Sequence, residues 1–250
     1  MNFKPIFGLI AGAFLALNLN ASTIKKDELI VATEGTYSPY SFYDEKGELV
    51  GYDVDIAKAV AQKLNLKVEF LTAPWDAMLV AFDAGKADVV FNQVSINEDR
   101  KKKYDMSVPY TMPYPVIVVH KDNNDIKSFA DLKGKKSVHS ATSNWAAIAE
   151  KNGATVVVAD GFSKGVELII SKRADDTIND NVTFFDYIKQ RPNAPLKIAY
   201  TSNEPMPTAA LLKKGNTELL EAINKALDEL KAEGKISEIS MKYFGKDISK

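Results

Sequence analysis

Arg100 is the side chain with the clearest chemical use. Its planar guanidinium can hold a carboxylate through two parallel hydrogen bonds, which the ammonium of a lysine cannot do. The same residue opens the run Arg100-Lys101-Lys102-Lys103, and a charge run of that kind also fits a solvated face. Asp180 precedes a helical pattern over residues 181–190 and suits a helix cap, since Asp is a favoured capping residue. No pair of carboxylates is spaced for general acid–base work, and His139 has no partner pattern that implies catalysis. The 250 residues include no Cys and two His. Disulfide scaffolds, Cys zinc sites, iron–sulfur ligation and thiol nucleophiles are thereby excluded, and neither a metal nor a cofactor is expected. Lys and Arg number 32 against 33 Asp and Glu, for a net charge of −1. That balance argues against nucleic acid as a partner, because phosphate contacts need a basic field.

The elements that must position these groups alternate. Residues 29–33 form an apolar, β-rich run followed by Gly35 and Pro39 as loop markers. Asp53 is placed to cap a helix whose apolar positions Ile56, Val60 and Leu64 share one face. Strands are expected at 68–71, 88–91, 116–119, 135–138, 155–158 and 177–179. Helices are expected at 76–83, 144–151 and 164–171, with a helical stripe through Leu219, Ile223, Leu227 and Leu230 and a shorter one over 236–244. Asn97 fits the cap of a short helical turn. Alternation of this kind gives an α/β protein with mostly parallel sheets flanked by helices. The strand-like segments after Pro115 and around 198–212 flank a self-contained alternating block. If both cross between lobes, residues 22–116 and 205–250 form lobe 1 and residues 117–204 form lobe 2. Two crossovers make a hinge, and the cleft between lobes is where a small ligand belongs.

Residues 1–21 read as an address. Lys4 precedes an apolar stretch from Ile6 to Leu17, with cleavage expected after Ala21. The stretch is short of the roughly 20 apolar residues that span a bilayer. The mature chain is therefore expected to be exported and soluble. With no cysteine to carry a lipid, the periplasm is the simplest location.

The run Gly51-Tyr52-Asp53-Val54-Asp55-Ile56, continuing through Ala59-Val60 to Leu64, resembles the signature of the family 3 solute-binding proteins, the periplasmic amino-acid receptors of ABC importers. Glu34-Gly35-Thr36-Tyr37 with Pro39 and Phe42 resembles the family's first ligand loop, and Trp75-Asp76-Ala77-Met78-Leu79 its second. Asn92-Gln93-Val94-Ser95-Ile96 followed by Arg100 resembles its carboxylate-binding segment. Asp131-Leu132-Lys133-Gly134-Lys135, Lys214-Gly215-Asn216 and Tyr243-Phe244-Gly245 follow in the expected order. Within the family, Glu-Gly-Thr-Tyr together with Asn-Gln-Val-Ser-Ile is most similar to the cystine-binding members.

The resemblance implies a periplasmic binding protein type II fold, two lobes joined by two hinge crossovers. It implies a monomer that captures cystine, cysteine or another polar amino acid and delivers it to a membrane permease. A free amino acid presents a carboxylate and an ammonium, and leaving either buried without a partner costs about 3–5 kcal/mol. By analogy Arg100 grips the carboxylate, Ser95 adds a hydroxyl donor and Gln93 gives its backbone carbonyl to the ammonium. Asp180 matches the family's lobe 2 acid for the ammonium, and Tyr37 and Trp75 match its aromatic walls. Glu34, at a strand end opening on the cleft, binds a polar ligand group or orients Arg100. Thr142, Ser143 and Asn144 fall on the lobe 2 turn that donates backbone N–H groups to the carboxylate. Thr142 stands where the family usually has Gly, and a Cβ there restricts φ. An enzyme on the same scaffold, a periplasmic cyclohexadienyl dehydratase, is the alternative.

Overall fold

The computed structural model describes residues 22–250, so the expected leader over 1–21 lies outside the described residues. Strands β1 (Glu28–Thr33), β5 (Lys67–Thr72), β6 (Val89–Ser95), β7 (Tyr104–Met106) and β13 (Thr208–Lys213) build one sheet, in the order β5-β1-β6-β13-β7. Strands β8 (Pro115–His120), β9 (Lys136–His139), β10 (Thr155–Val158), β11 (Asp176–Asp180) and β12 (Leu196–Thr201) build the other, in the order β10-β9-β11-β8-β12. A small antiparallel flap joins β2 (Thr36–Tyr37), β3 (Ser41–Tyr43) and β4 (Leu49–Val50).

Each large sheet is mixed in a regular way. β1 pairs parallel with β5 and β6, while β13 runs antiparallel to β6 and β7. β9 pairs parallel with β10 and β11, while β8 runs antiparallel to β11 and β12. One strand per sheet is thus reversed, and in both cases it is the strand by which the chain enters that sheet after crossing from the other. The crossovers, residues 107–114 and 202–207, lie side by side: Met206 N–H donates to Pro113 O at 2.7 Å, and Thr208 N–H to Thr111 O at 3.0 Å. The expected division after residue 116 cuts into β8. Pro115 takes strand conformation, a place proline tolerates at the first residue of a strand.

Strand alternation sends side chains to both faces of each sheet. Leu29 and Val31 join the core under α1 (Tyr52–Lys63), α7 (Thr217–Ala232) and α8 (Lys235–Phe244). Ile30 and Ala32 join the core under α2 (Trp75–Asp83). In the second sheet Val116 and Val118 meet α5 (Gly161–Ile170) and α6 (Asn181–Gln190). Ile117 and Val119 meet α4 (Asn144–Lys151). Both lobes are three-layered, so the ends of the central strands are left to face one another across the cleft.

Two local departures from expectation have a steric origin. Asp53 does not cap α1: the cap residue is Gly51, at φ 135°, and a Cβ there would lie 2.2 Å from the carbonyl oxygen of Tyr40. The chain folds so tightly onto the flap that only glycine fits, and Asp53 is drawn into the first turn, fully buried. Asn97 does cap the six-residue α3 (Glu98–Lys103), its side chain accepting from the Arg100 N–H at 2.8 Å. That cap fixes where Arg100 leaves the backbone.

Candidate functional site

A cavity of about 60 Å³ lies between the lobes. Glu34, Tyr37, Trp75, Asn92 and Gln93 line it from the first lobe, and His139, Ser143, Asn144, Thr177 and Asn179 from the second. Six of the ten expected residues are therefore on its wall. Ser95, Arg100, Thr142 and Asp180 are not.

The floor is made by an irregularity in β6. Between the pairs Val90↔Leu211 and Val94↔Ala209, three residues of β6 face a single residue of β13. Gln93 sits in this bulge at φ 48°, a left-handed conformation that non-glycine residues adopt at a cost of about 1–3 kcal/mol. The bulge frees Asn92 and Gln93 from the simple alternation and turns them to separate tasks. Asn92 accepts the Glu34 N–H at 2.9 Å and donates its side-chain N–H to Glu34 Oε2 at 2.7 Å. Gln93 donates to Asp53 Oδ1 at 2.7 Å and accepts from Thr208 Oγ1 at 3.0 Å. Its side chain thus ties the hinge, and only the remainder of the residue is left for the cavity.

Arg100 is held beside that floor. Its guanidinium carbon lies 5.3 Å from the centroid of the Trp75 ring, and Nη1 donates to the Ser95 carbonyl oxygen at 2.9 Å. Ser95 therefore meets Arg100 through its backbone carbonyl. Nη2 is buried and has no partner among the described residues. Burial draws the guanidinium pKa down to about 10. No carboxylate among the described residues forms an ion pair with it. A buried cation with an unfilled donor is costly unless something anionic completes it. Glu34 does not orient it: its partner is Asn92, and burial raises the Glu34 pKa to about 7, with Asp76 and Asp160 adding to the rise.

Asp180 has another occupation. Its carboxylate accepts from Thr183 N at 2.7 Å, Thr183 Oγ1 at 2.8 Å, Tyr37 Oη at 2.7 Å and Tyr40 Oη at 3.0 Å. These four contacts fill the sites a carboxylate offers, leaving none for the expected ammonium. It caps α6, and through the two tyrosines it joins lobe to lobe. Tyr37 lies 2.8 Å from Asn179 Oδ1 as well, so its one proton is shared.

Thr142 also serves closure rather than the cavity wall. Asp76 accepts from Ala141 N at 3.0 Å and Thr142 N at 2.9 Å, and also from Thr142 Oγ1. Trp75 Nε1 donates to Thr142 Oγ1 at 3.0 Å. Thr142 is not among the residues at positive φ, so the turn does without the glycine. Ser143 caps α4, accepting the Ala146 N–H at 3.1 Å, and Asn144 Nδ2 reaches Met206 Sδ at 3.4 Å. The start of α4 thereby brings its positive dipole end to the cavity. Asp76→Ala should loosen the shut state, at about 1–1.5 kcal/mol for the lost bonds net of water. We expect affinity to fall roughly 5- to 10-fold, mostly as faster dissociation, in stopped-flow and calorimetric titrations. Unchanged dissociation would show that the Asp76 contacts contribute nothing to closure.

His139, Asn92, Thr177 and Asn179 also line the cavity, and none of them is among the ten residues expected to bind the ligand. Strand alternation alone could have marked Thr177 and Asn179, which share one face of β11. Asn92 stands in the run that resembles the carboxylate-binding segment, but the bulge that turns it to the cavity is not written in the pattern.

Two hinged α/β lobes, a polar-lined cavity between them and a partly buried cation beside it define a protein that captures small solutes. The chain belongs to the bacterial extracellular solute-binding proteins, family 3, whose model matches residues 29–246. A probable amino-acid ABC transporter-binding protein of Haemophilus influenzae is 45% identical over 225 residues, spanning 90% of this chain and 88% of the relative. The L-cystine solute receptor of Neisseria gonorrhoeae, solved in an unliganded open conformation, is 42% identical. It covers 89% of this chain and 95% of its own, with a TM-score of 0.59. An ancestral arginine-binding protein bound to glutamine is also 42% identical, covering 89% of this chain and 100% of its own, with a TM-score of 0.83. At equal identity the ligand-bound structure superposes far better than the open one, as the Asp76 and Asp180 contacts across the cleft require. Among the described residues no helix is long and apolar enough to cross a membrane, and no group of three His, Cys, Asp or Glu is placed to hold a metal.

Proposed function

We propose that this protein is the periplasmic receptor of an amino-acid ABC importer, taking cystine or cysteine, or another polar amino acid, and presenting it as a monomer to the membrane permease. The observation that carries this reading is the Arg100 guanidinium, set against Trp75 with its Nη2 occluded and unfilled and no acidic partner among the described residues. It calls for an anion from outside the chain. The dipole at the start of α4 favours the same charge. Glu34, the acid on the cavity wall, takes the ammonium in place of Asp180. A carboxylate on one side and an ammonium on the other describe an amino acid. The names of the Haemophilus and Neisseria relatives support an amino acid, and the latter supports cystine.

A thermal-shift panel of free amino acids tests this. A ligand at 100 times its dissociation constant stabilises the folded state by about 2.7 kcal/mol. L-Cystine or L-cysteine should give the largest shift, and a panel without any shift would overturn the reading. One observation favours the enzymatic alternative enough to test it alongside: a cavity carboxyl raised to a pKa of about 7 suits a general acid. Incubation with prephenate or arogenate should yield no aromatic product.

A further inference from the structure

His139 ends β9 on the cavity wall and is 6% exposed. Its Nε2 lies 2.8 Å from Ser137 Oγ, and Ser137 Oγ lies 2.5 Å from Asp176 Oδ1. A serine hydroxyl has one proton to give, so this chain of three has a direction. With Asp176 ionised, Ser137 donates to Asp176 and must accept from His139, whose proton therefore sits on Nε2. Nδ1 is then a bare acceptor. With a proton on Asp176 Oδ1, each bond reverses and the histidine proton moves to Nδ1. Among the described residues Nδ1 has no hydrogen-bond partner, and unlike Asp176 Oδ2 it is not occluded from solvent. What exposure the ring has therefore includes Nδ1.

We propose that His139 is a specificity-determining residue whose tautomer is set by the Asp176–Ser137 relay, so that Nδ1 offers the cavity an acceptor suited to an ammonium N–H and not to a carboxylate oxygen, and that one proton taken up at Asp176 converts this acceptor into a donor. The proposal rests on the amino-acid reading above and deepens it: Glu34 and His139 together make one part of the wall an acceptor surface, opposite in character to Arg100. Burial keeps the imidazole itself neutral, its pKa drawn down to about 3. Burial also raises Asp176 to about 7; Asp175 adds to that rise, while Ser137 and Lys135 oppose it. Its strand partner on β8 is the apolar Val119. Glu34, on the cavity wall itself, is raised by burial to about 7 as well.

The tautomer can be read directly by two-bond ¹H–¹⁵N NMR of histidine-labelled protein. His120 is the only other histidine, and His120→Asn assigns the signals. At pH 8.5 His139 should be neutral with its proton on Nε2. At pH 5.5 it should be neutral with the proton on Nδ1. Asp176→Asn should remove that change, and Ser137→Ala, a milder variant, should uncouple the ring from pH as well. His139→Phe should weaken L-cystine binding roughly 10-fold at pH 8.5, as loss of one hydrogen bond to a charged group implies. An imidazolium or an Nδ1-protonated ring in the native protein at pH 8.5 would overturn the relay. A His139→Phe protein that binds as the native one does would overturn the specificity role. If the native protein binds no amino acid at all, the amino-acid reading fails first and this role with it. A wrong tautomer with intact binding condemns the relay alone.

Discussion

Arg100→Ala should abolish amino-acid binding and leave the protein folded at least as stably as before. The two halves of that expectation have one cause. In the native protein the guanidinium is buried, with Nη1 on the Ser95 carbonyl and Nη2 on nothing. Burial disfavours its charged form and lowers its pKa to about 10. The free protein therefore keeps a desolvated cation at a cost that, on the proposed reading, a ligand's carboxylate would repay. Removing the cation relieves the free state, but it strands a buried carboxylate in the complex. A buried pair broken on one side loses about 3–5 kcal/mol, or roughly 10²- to 10³-fold or more in dissociation constant. Arg100→Lys should recover only part of this, since an ammonium restores charge but not the planar fork. Calorimetric titration with L-cystine measures the first half, and urea denaturation without ligand measures the second. Affinity within about 3-fold of native would dismiss Arg100 as the anchor. A markedly destabilised Arg100→Ala protein would show that the guanidinium holds the lobe together instead.

The sequence carried the framework of this site further than its contacts. The helix over 144–151 and the strand over 155–158 have the bounds expected from their patterns, because apolar periodicity reports which face is buried. The Asn97 cap was legible for a similar reason: a capping side chain bonds within its own turn. What escaped was whatever depends on distant chain segments. Asp53 looks like a cap until the backbone of Tyr40 is placed against Gly51. The bulge that aims Asn92 and Gln93 exists because β13 returns across the sheet out of register. Asp180 shows both sides at once. Its capping of Thr183 is local and readable; its bonds from Tyr37 and Tyr40 arrive from some 140 residues away, and they decide that it holds the lobes rather than the ligand. The resemblance to a family proposed what periodicity cannot, a set of residues sharing a cleft, of which six of ten lie on the cavity wall.

Without ligand, the protein should be more stable at pH 5 than at pH 8. Glu34, Asp53 and Asp176 each have their pKa raised to about 7, in every case chiefly by burial. A carboxyl with a folded-state pKa above its unfolded value binds its proton more readily when folded. Its contribution is therefore favourable below the folded pKa and disappears as pH rises from the ordinary carboxylate range through about 7. With folded values near 7, about 1.4 kcal/mol per group, roughly half of what such a shift allows between pH 5 and pH 8, amounts to about 4 kcal/mol over the three, which for a chain of this size is roughly 10 °C in Tm. The opposite set limits the gain from below. Asp99, Asp105, Asp131 and Asp247 have lowered pKa values, and stability that depends on their charge is lost as pH falls through their folded values. The maximum should thus lie near pH 5. Asp53→Asn isolates one contribution: the amide can still accept from Gln93 but cannot ionise, so the variant should gain stability at pH 8 and show a shallower slope. Calorimetric scans from pH 4 to 9 decide the matter. A Tm that holds level or climbs between pH 5 and pH 8 would mean that these three carboxyls are hydrated in solution and that burial does not raise their pKa values.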